Sequence, residues 1–174
     1  MKRSLEERGP TITAEIMPPR GADPSKSIAM AKRLQGLVHA MNITDGSRAV
    51  MRMSSIALSK LLLEEGIEPV VQFACRDRNR IGIQADLLGA HALGIRNILC
   101  LSGDPVRVGD QPESKPVNEF DSIKLLKQVS AFNKSKDPVS GELPDKGTNF
   151  FPGAAADPNC KSTSGLRRRL EMKK

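Results

Sequence analysis

Two carboxylates of this chain lie in or beside apolar stretches. Glu15 is inside TITAEIM at residues 11–17, where an unpaired carboxylate among apolar neighbours is costly. Asp104 follows shortly after NILCL at residues 97–101. A carboxyl group placed in a folded protein can hold or release a proton, or oppose a developing charge. The two carboxylates are therefore candidates for a functional role.

Each carboxylate also has a structural explanation. Glu15 could form a salt bridge with Arg20 or with an arginine near residue 76. Asp104 precedes Pro105, and an Asp-Pro pair commonly opens a turn in which the carboxylate caps its own backbone. The residues alone leave both explanations open.

Five apolar stretches predict the β-strands that would position these groups. They are TITAEIM (11–17), AMNIT (40–44), PVVQFAC (69–75), NILCL (97–101) and NFFPGAAA (149–156). The first four begin 28 or 29 residues apart. Short strands with apolar residues on both faces are typical of a parallel sheet that is covered on both sides.

Helical patterns fill the gaps between these strands. The predicted helices carry apolar stripes at Ile28, Ala31, Leu34 and Val38, at Ile83, Leu87 and Ala90, and at Ile123, Leu126, Val129 and Phe132. Gly66 and Gly94 are predicted to end helices and Asp121 to begin one. Repeated β-α units predict an α/β fold, either a doubly wound open sheet or a (β/α) barrel. Residues 106–120 and 133–148 are predicted surface loops because they are rich in Pro, Gly and charge.

Polar residues collect where the predicted strands end. These residues are Glu15, Thr44, Asp45, Gln72, the run Arg76 to Arg78, the run Ser102 to Asp104, and residues 153–158. In both candidate folds ligands bind at the C-terminal ends of the strands, so we expect a ligand site there. Gly103 would let a ligand approach the backbone closely. The chain has no glycine-rich phosphate-binding motif of the usual types.

Composition excludes several classes of protein. The chain has 174 residues, of which 39% are hydrophobic and 27% charged, as expected for one soluble domain. Residues 161–174 carry +5 of the net charge of +7, and no nucleic-acid-reading motif accompanies them, so we expect no nucleic-acid binding. No apolar run is long enough to span a membrane and no signal peptide is recognisable, so a cytoplasmic location is expected.

The cysteines and histidines predict neither a disulfide framework nor a metal site. Cys75, Cys100 and Cys160 are an odd number with no framework spacing, which favours reduced thiols. His39 and His91 have no metal-ligand neighbours in the sequence, so we interpret both as structural or surface residues.

The sequence resembles the methylenetetrahydrofolate reductase family. The matching segments are AEIMPPR (14–20), NITDGSR (42–48), PVVQFACRDRN (69–79), ADLLGAHALGIRNILCLSGDP (85–105), DSIKLLK (121–127) and GAAADPN (153–159). The combination of E-x-x-P-P with a strand that leads into Gly-Asp-Pro is the specific part of this resemblance.

The resemblance implies a TIM-type (β/α)8 barrel that holds FAD at the C-terminal ends of its strands. It implies a flavoprotein oxidoreductase of one-carbon metabolism, in which NAD(P)H reduces the flavin and 5,10-methylenetetrahydrofolate becomes 5-methyltetrahydrofolate for methionine synthesis. Glu15 matches the general acid that protonates the folate. Asp104 matches an aspartate near the pyrimidine ring of the flavin, where a negative charge would tune hydride donation.

The resemblance also implies a set of cofactor contacts. They are Thr44, Asp45, Gln72, Ser102, Gly103, Asp104, Gly153, Asp157 and Lys173. Gln72 stands where the family often has His, Ser102 where some members have Arg, and Asp45 and Gly153 where some have Tyr. Because the chain has no Tyr and no Trp, stacking on the flavin would have to come from other residues.

Length limits the expected barrel. A complete (β/α)8 barrel takes about 250 residues. We therefore expect residues 1–174 to form one domain of about five β-α units, corresponding to the N-terminal part of such a barrel. The chain would then act on its folate substrate as an oligomer or together with the remainder of a barrel. The alternative is a truncated, non-catalytic part that binds flavin or associates with a partner.

Overall fold

Five parallel strands form the centre of the computed structural model. The structure describes residues 1–7, 10–143, 145–156, 159 and 162–173. The strands of the main sheet are β1 (Thr13–Ile16), β2 (Ala40–Ile43), β3 (Pro69–Ala74), β4 (Asn97–Leu101) and β7 (Phe151–Ala154). The helices are α1 (Lys2–Glu6), α2 (Ser25–Leu34), α3 (Ser55–Glu64), α4 (Arg80–Ala92), α5 (Ser122–Phe132) and α6 (Thr163–Glu171). The small strands β5 (Lys136–Asp137) and β6 (Gly141–Glu142) form a separate antiparallel hairpin.

The strands follow one another across the sheet in the order β1-β2-β3-β4-β7. Residues that pair across neighbouring strands include Glu15 with Asn42, Asn42 with Val70, Gln72 with Leu99, and Leu99 with Gly153. From β2 on, each strand of the main sheet thus lies beside the main-sheet strand that precedes it in the chain, and the two are parallel. This arrangement is typical of the wall of a (β/α) barrel. The five predicted strands are confirmed.

Helices α2 to α5 pack on one face of this sheet. One apolar cluster joins Ile16, Met41 and Ile43 to α2 and α3, and a second joins Val71, Phe73, Ile98 and Cys100 to α4 and α5. Each fully buried side chain of this size contributes about 1.5–3 kcal/mol to folding. A doubly wound sheet would carry helices on both faces, so the one-sided packing assigns the chain to the barrel alternative, as part of a TIM-type barrel.

Local signals for helix ends are confirmed. The Asp121 carboxylate accepts hydrogen bonds from the peptide N–H groups of Ile123 and Lys124, at 3.0 and 2.7 Å, and so caps α5. Gly66 and Gly94 follow α3 and α4 with φ of 71° and 93°, the left-handed conformation that favours glycine after a helix.

The predicted apolar stripe of α5 is only partly correct. The buried residues are Leu125, Gln128, Val129 and Phe132, whereas Ile123 and Leu126 are half-buried. Gln128 is buried because its amide donates to Asp137 of the hairpin at 3.2 Å. That hairpin lies in residues 133–148, which the sequence predicted as loop. The buried face of α5 thus includes Leu125 and Gln128, which the predicted stripe did not contain.

No helix among the described residues is both long and apolar enough to cross a bilayer.

Cys75 and Cys100 are predicted to be chemically inert in the folded protein. Both thiols are fully buried, and burial raises their pKa from 9.0 to about 12. We expect iodoacetamide at pH 8 to modify neither in the native protein and both in denaturant, as read by peptide mass. The pKa of each thiol is higher in the folded protein than in the unfolded chain. Burial of the two neutral thiols therefore stabilises the folded state fully below about pH 9, and this stabilisation declines as the pH rises toward 12. A native adduct on either residue would contradict this prediction. Cys160 lies outside the described residues.

Candidate active site

The face of the sheet opposite the helices carries the polar strand residues. Ile43 packs against α2 and α3, so the alternation of side chains along a strand places Asn42 and Thr44 on the other face. Glu15 pairs with Asn42 in the β1–β2 register and lies on that face as well. The Asn42 amide donates to the Thr13 hydroxyl at 3.0 Å. In a barrel wall this is the inner face, where ligands are held near the C-terminal strand ends.

Glu15 is exposed on this inner face, although its apolar neighbours in the sequence indicated burial. The sequence predicted a sheet covered on both sides, whereas none of the described helices packs on the face that Glu15 occupies. Nε2 of Gln72 donates to Oε2 of Glu15 at 3.5 Å, a long hydrogen bond. The predicted salt bridge is also wrong, because Arg20 pairs with Asp110 and Arg76 pairs with Asp77.

Thr44 has a buried hydroxyl that makes no hydrogen bond. The residue is 1% exposed, and its Oγ1 has no partner among the described residues. Nε of Arg52 is likewise buried and unpaired, while Nη1 of Arg52 donates to the Pro18 carbonyl at 3.0 Å. An unmade hydrogen bond of a buried group costs about 1–3 kcal/mol. Both unpaired atoms belong to residues that follow β2, and each is a candidate for a hydrogen bond to a ligand.

Asp45 is bound to the protein itself. Its Oδ2 accepts from the peptide N–H of Ala74 at 2.9 Å and from Nη1 of Arg78 at 2.6 Å. Arg78 also donates to Asp86 at 2.9 Å and lies 4.6 Å over the ring of Phe73. Burial disfavours the charged Arg78, but the two carboxylates more than offset it and hold its pKa above the ordinary value. Asp45 and Arg78 therefore join the end of β2 to β3 and α4.

Asp104 connects the loops that follow β2 and β4. Its Oδ2 accepts from the peptide N–H of Arg48 at 2.6 Å. Arg48 and Ala49 have φ of 58° and 54°, a left-handed conformation that residues with a side chain seldom adopt. Asp104 does cap a backbone group, as the structural explanation proposed, but in a loop 56 residues away rather than in its own turn.

Arg76 lies beneath the two loops that Asp104 connects. Its side chain is 7% exposed, paired with Asp77, and its Nη1 donates to the Asp104 carbonyl at 3.0 Å. A Cβ on Gly46 would lie 2.8 Å from Nη2 of Arg76, and one on Gly103 would lie 3.0 Å from its Cβ. Both glycines therefore leave room for the Arg76 side chain. This packing explains a glycine at position 103 independently of the predicted approach of a ligand.

A depression of about 290 Å³ opens between these loops. Its walls are formed by residues 45, 46 and 49–52, by Arg76 and Asp77, and by Val106, Gln111 and Ser114. The Arg20–Asp110 ion pair and the bond from the Met51 N–H to Asp110, at 2.9 Å, tie the surrounding loops together. The depression thus lies at the C-terminal ends of the strands, where the sequence predicted a ligand site.

The remaining predicted residues lie toward the β7 side. The Ser102 hydroxyl accepts from the Ser122 N–H at 3.2 Å, at the start of α5. Gly153 is half-buried in β7 and pairs with Leu99. Nζ of Lys173 donates to the Ala155 carbonyl at 2.6 Å. Asp157 lies outside the described residues.

The sequence did not reveal the roles of four charged residues. Arg76 and Arg78 were noted only as polar residues at a strand end, and Arg52 and Asp110 were not noted. Apart from Asp77 beside Arg76 and Asp86 near Arg78, their partners are distant in the sequence, so local spacing could not indicate most of these contacts. The run Arg76-Asp77-Arg78 directly after a buried strand was the one available signal.

The fold defines an α/β barrel-type protein with a depression at the C-terminal ends of its strands. Comparison with protein families matches residues 1–173 to the family model described as methylenetetrahydrofolate reductase. The chain therefore belongs to the methylenetetrahydrofolate reductase family, which confirms the resemblance and assigns it a folate-reductase type of function. Comparison with curated proteins returned no match.

Proposed function

We propose that this chain acts in the flavin-dependent reduction of 5,10-methylenetetrahydrofolate to 5-methyltetrahydrofolate, with NAD(P)H as the electron donor. The observation that carries the proposal is the family match over residues 1–173. The exposed carboxylate of Glu15 on the inner face of the sheet supports it, because a substrate can reach that carboxylate directly.

The residues present fit a flavin. A flavin ring has a polar edge of hydrogen-bond donors and acceptors, and Thr44 offers a buried hydroxyl without a partner. The Gln72 amide, on the same face, keeps donor and acceptor capacity beyond its long bond to Glu15. When bound, the flavin supplies the transfer of a hydride between NAD(P)H and the folate.

Glu15 is the proposed general acid. It forms no salt bridge among the described residues. The Gln72 amide contacts only Oε2, which leaves Oε1 available to carry a proton to the folate. Gln72 therefore orients the carboxylate without competing for the second oxygen.

Asp104 is the proposed electrostatic group. Its negative charge lies at the strand ends, and the Arg48 N–H and Arg76 hold its carboxylate and its carbonyl in place. A fixed negative charge disfavours further negative charge on a neighbouring ring and so favours hydride release from it.

Thr44→Val should weaken flavin binding about tenfold, since one hydrogen bond contributes about 0.5–1.5 kcal/mol. Ser59→Ala is a matched control, because Ser59 also has a buried hydroxyl without a partner but lies in α3. Both variants should fold at least as stably as the parent chain. Titration with FAD, followed by absorbance near 450 nm, measures the affinities. If the Thr44 variant and the parent bind FAD with equal affinity, Thr44 does not contact the flavin. If the parent binds no flavin, the proposed function is wrong.

A second candidate is flavin binding without turnover. The exposure of Glu15 favours it, since nothing among the described residues excludes water from this carboxylate. Catalysis would then require a further polypeptide surface to cover the inner face, supplied by an oligomer or by the remainder of a barrel.

A further inference from the structure

A second depression lies on the helix-covered side of the sheet. It has a volume of about 390 Å³, larger than the 290 Å³ depression at the strand ends. Side chains of α5, the hairpin, β7 and the segment after α6 form it. We call it the lysine groove, lined by Leu126, Lys127, Ser130, Ala131, Lys134, Lys136, Pro152, Met172 and Lys173.

The lysine groove is strongly cationic. Four of its lining residues are lysines, and none of the described residues that line it is acidic. Lys127, Lys134 and Lys136 are exposed and take part in no salt bridge within the described part of the chain. Like charges around one concave surface raise its positive potential, and a bound anion relieves their repulsion.

The groove also has an apolar surface. Leu126, Ala131, Pro152 and Met172 contribute it, and Ser130 adds a hydroxyl that makes no hydrogen bond within the described residues. Its volume lies in the range of small-molecule sites, about 300–1,000 Å³. Cations beside an apolar wall fit a ligand that carries phosphate on an apolar group better than a bare anion.

Apart from Lys173, the lysines of the groove lie away from the candidate active site. Asn133, next to Lys134, donates to the Phe150 carbonyl at 2.8 Å and accepts from the Phe150 N–H at 2.9 Å. Lys134 therefore lies beside the start of β7, whereas the candidate active site lies at the opposite, C-terminal strand ends. Lys173 alone belongs both to the groove and to the predicted cofactor contacts, so it is left unchanged in the test below.

We propose that the lysine groove is a second ligand site, which binds a small molecule bearing a diphosphate on an apolar group. Lys127, Lys134 and Lys136 contact the phosphates, and the apolar wall contacts the remainder of the ligand. This site does not depend on the proposed folate reduction.

The probes are ADP, whose adenine ring offers a weakly polar face to the apolar wall, and inorganic pyrophosphate, which has no such group. Both are titrated into the full chain by calorimetry, with and without saturating FAD. The test variant is Lys134→Gln/Lys136→Gln. The control is Lys26→Gln/Lys60→Gln, which changes the net charge equally on α2 and α3, away from the groove. We expect ADP to bind more tightly than pyrophosphate, and the test variant to lose about tenfold or more in affinity, as charged hydrogen bonds are removed. The control should stay within about twofold of the parent.

Four results would overturn the proposal. They are no binding of ADP to the parent, an equal loss in the control, equal affinity for the two probes, and loss of ADP binding when FAD is present. The last result would assign the lysines to the cofactor site instead. Thermal melting of each variant checks that these surface substitutions leave the fold intact. Absence of FAD binding would reject the proposed function and leave the ADP result valid.

Discussion

Glu15→Gln abolishes folate reduction and leaves the reduction of flavin by NAD(P)H nearly unchanged. Gln has almost the shape of Glu but cannot supply the proton, and a general acid contributes about 10²–10⁴-fold to rate. Glu15 makes one long hydrogen bond, to Gln72, and no salt bridge among the described residues, so its replacement should not disturb folding. The loss would therefore report chemistry at Glu15.

Rapid mixing under anaerobic conditions measures the two half-reactions of the Glu15 variant separately. Glu64→Gln is the control, because Glu64 is an exposed carboxylate at the end of α3 and forms, among the described residues, one surface salt bridge, with Lys60. We expect the control to match the parent in both half-reactions. Survival of both half-reactions in Glu15→Gln would show that the assigned role of Glu15 is wrong.

Arg78→Met should lower the free energy of unfolding by about 3 kcal/mol, the lower end of the cost of breaking a buried ion pair. The side chains of Arg78 and Asp45 are 17% and 12% exposed, so their pairing is screened only partly by water. Removal of Arg78 leaves Asp45 and Asp86 without this cation and takes a donor from the Ala74 carbonyl. The junction of β2, β3 and α4 therefore loses its central contact.

Urea unfolding compares Arg78→Met with the control Arg80→Met. Arg80 pairs with Glu119, but these side chains are 38% and 41% exposed, so the control should cost less than about 1 kcal/mol. Arg78→Lys should fall between the two, since lysine keeps the charge and loses the planar group that bonds several partners. Equal midpoints for the two methionine variants would show that the Asp45–Arg78 pair does not hold the strand ends together.

The strands and helix ends were predictable because their signals are local. Five apolar stretches, the first four at regular intervals, predicted the strands of the main sheet, and Asp121, Gly66 and Gly94 predicted helix ends. Hydrophobic periodicity and capping chemistry act within a few residues, so the sequence carries them directly.

The environment of each carboxylate was not predictable, because it depends on residues distant in the chain. Asp45 is held by Arg78 and Asp104 by the Arg48 N–H, across separations of 33 and 56 residues. Glu15 is exposed because the helices pack on one face only, which the apolar pattern of its strand did not reveal. The buried face of α5 depends on Asp137 in a hairpin whose two-residue strands resemble a loop in composition.

The most direct test of the proposed folate reduction is a single turnover. The chain is loaded with FAD, reduced with NAD(P)H, and mixed anaerobically with 5,10-methylenetetrahydrofolate. We predict that flavin absorbance near 450 nm returns as one equivalent of 5-methyltetrahydrofolate forms. Flavin that is bound and reduced but stays reduced in the presence of the folate would contradict the proposed function and favour flavin binding without turnover.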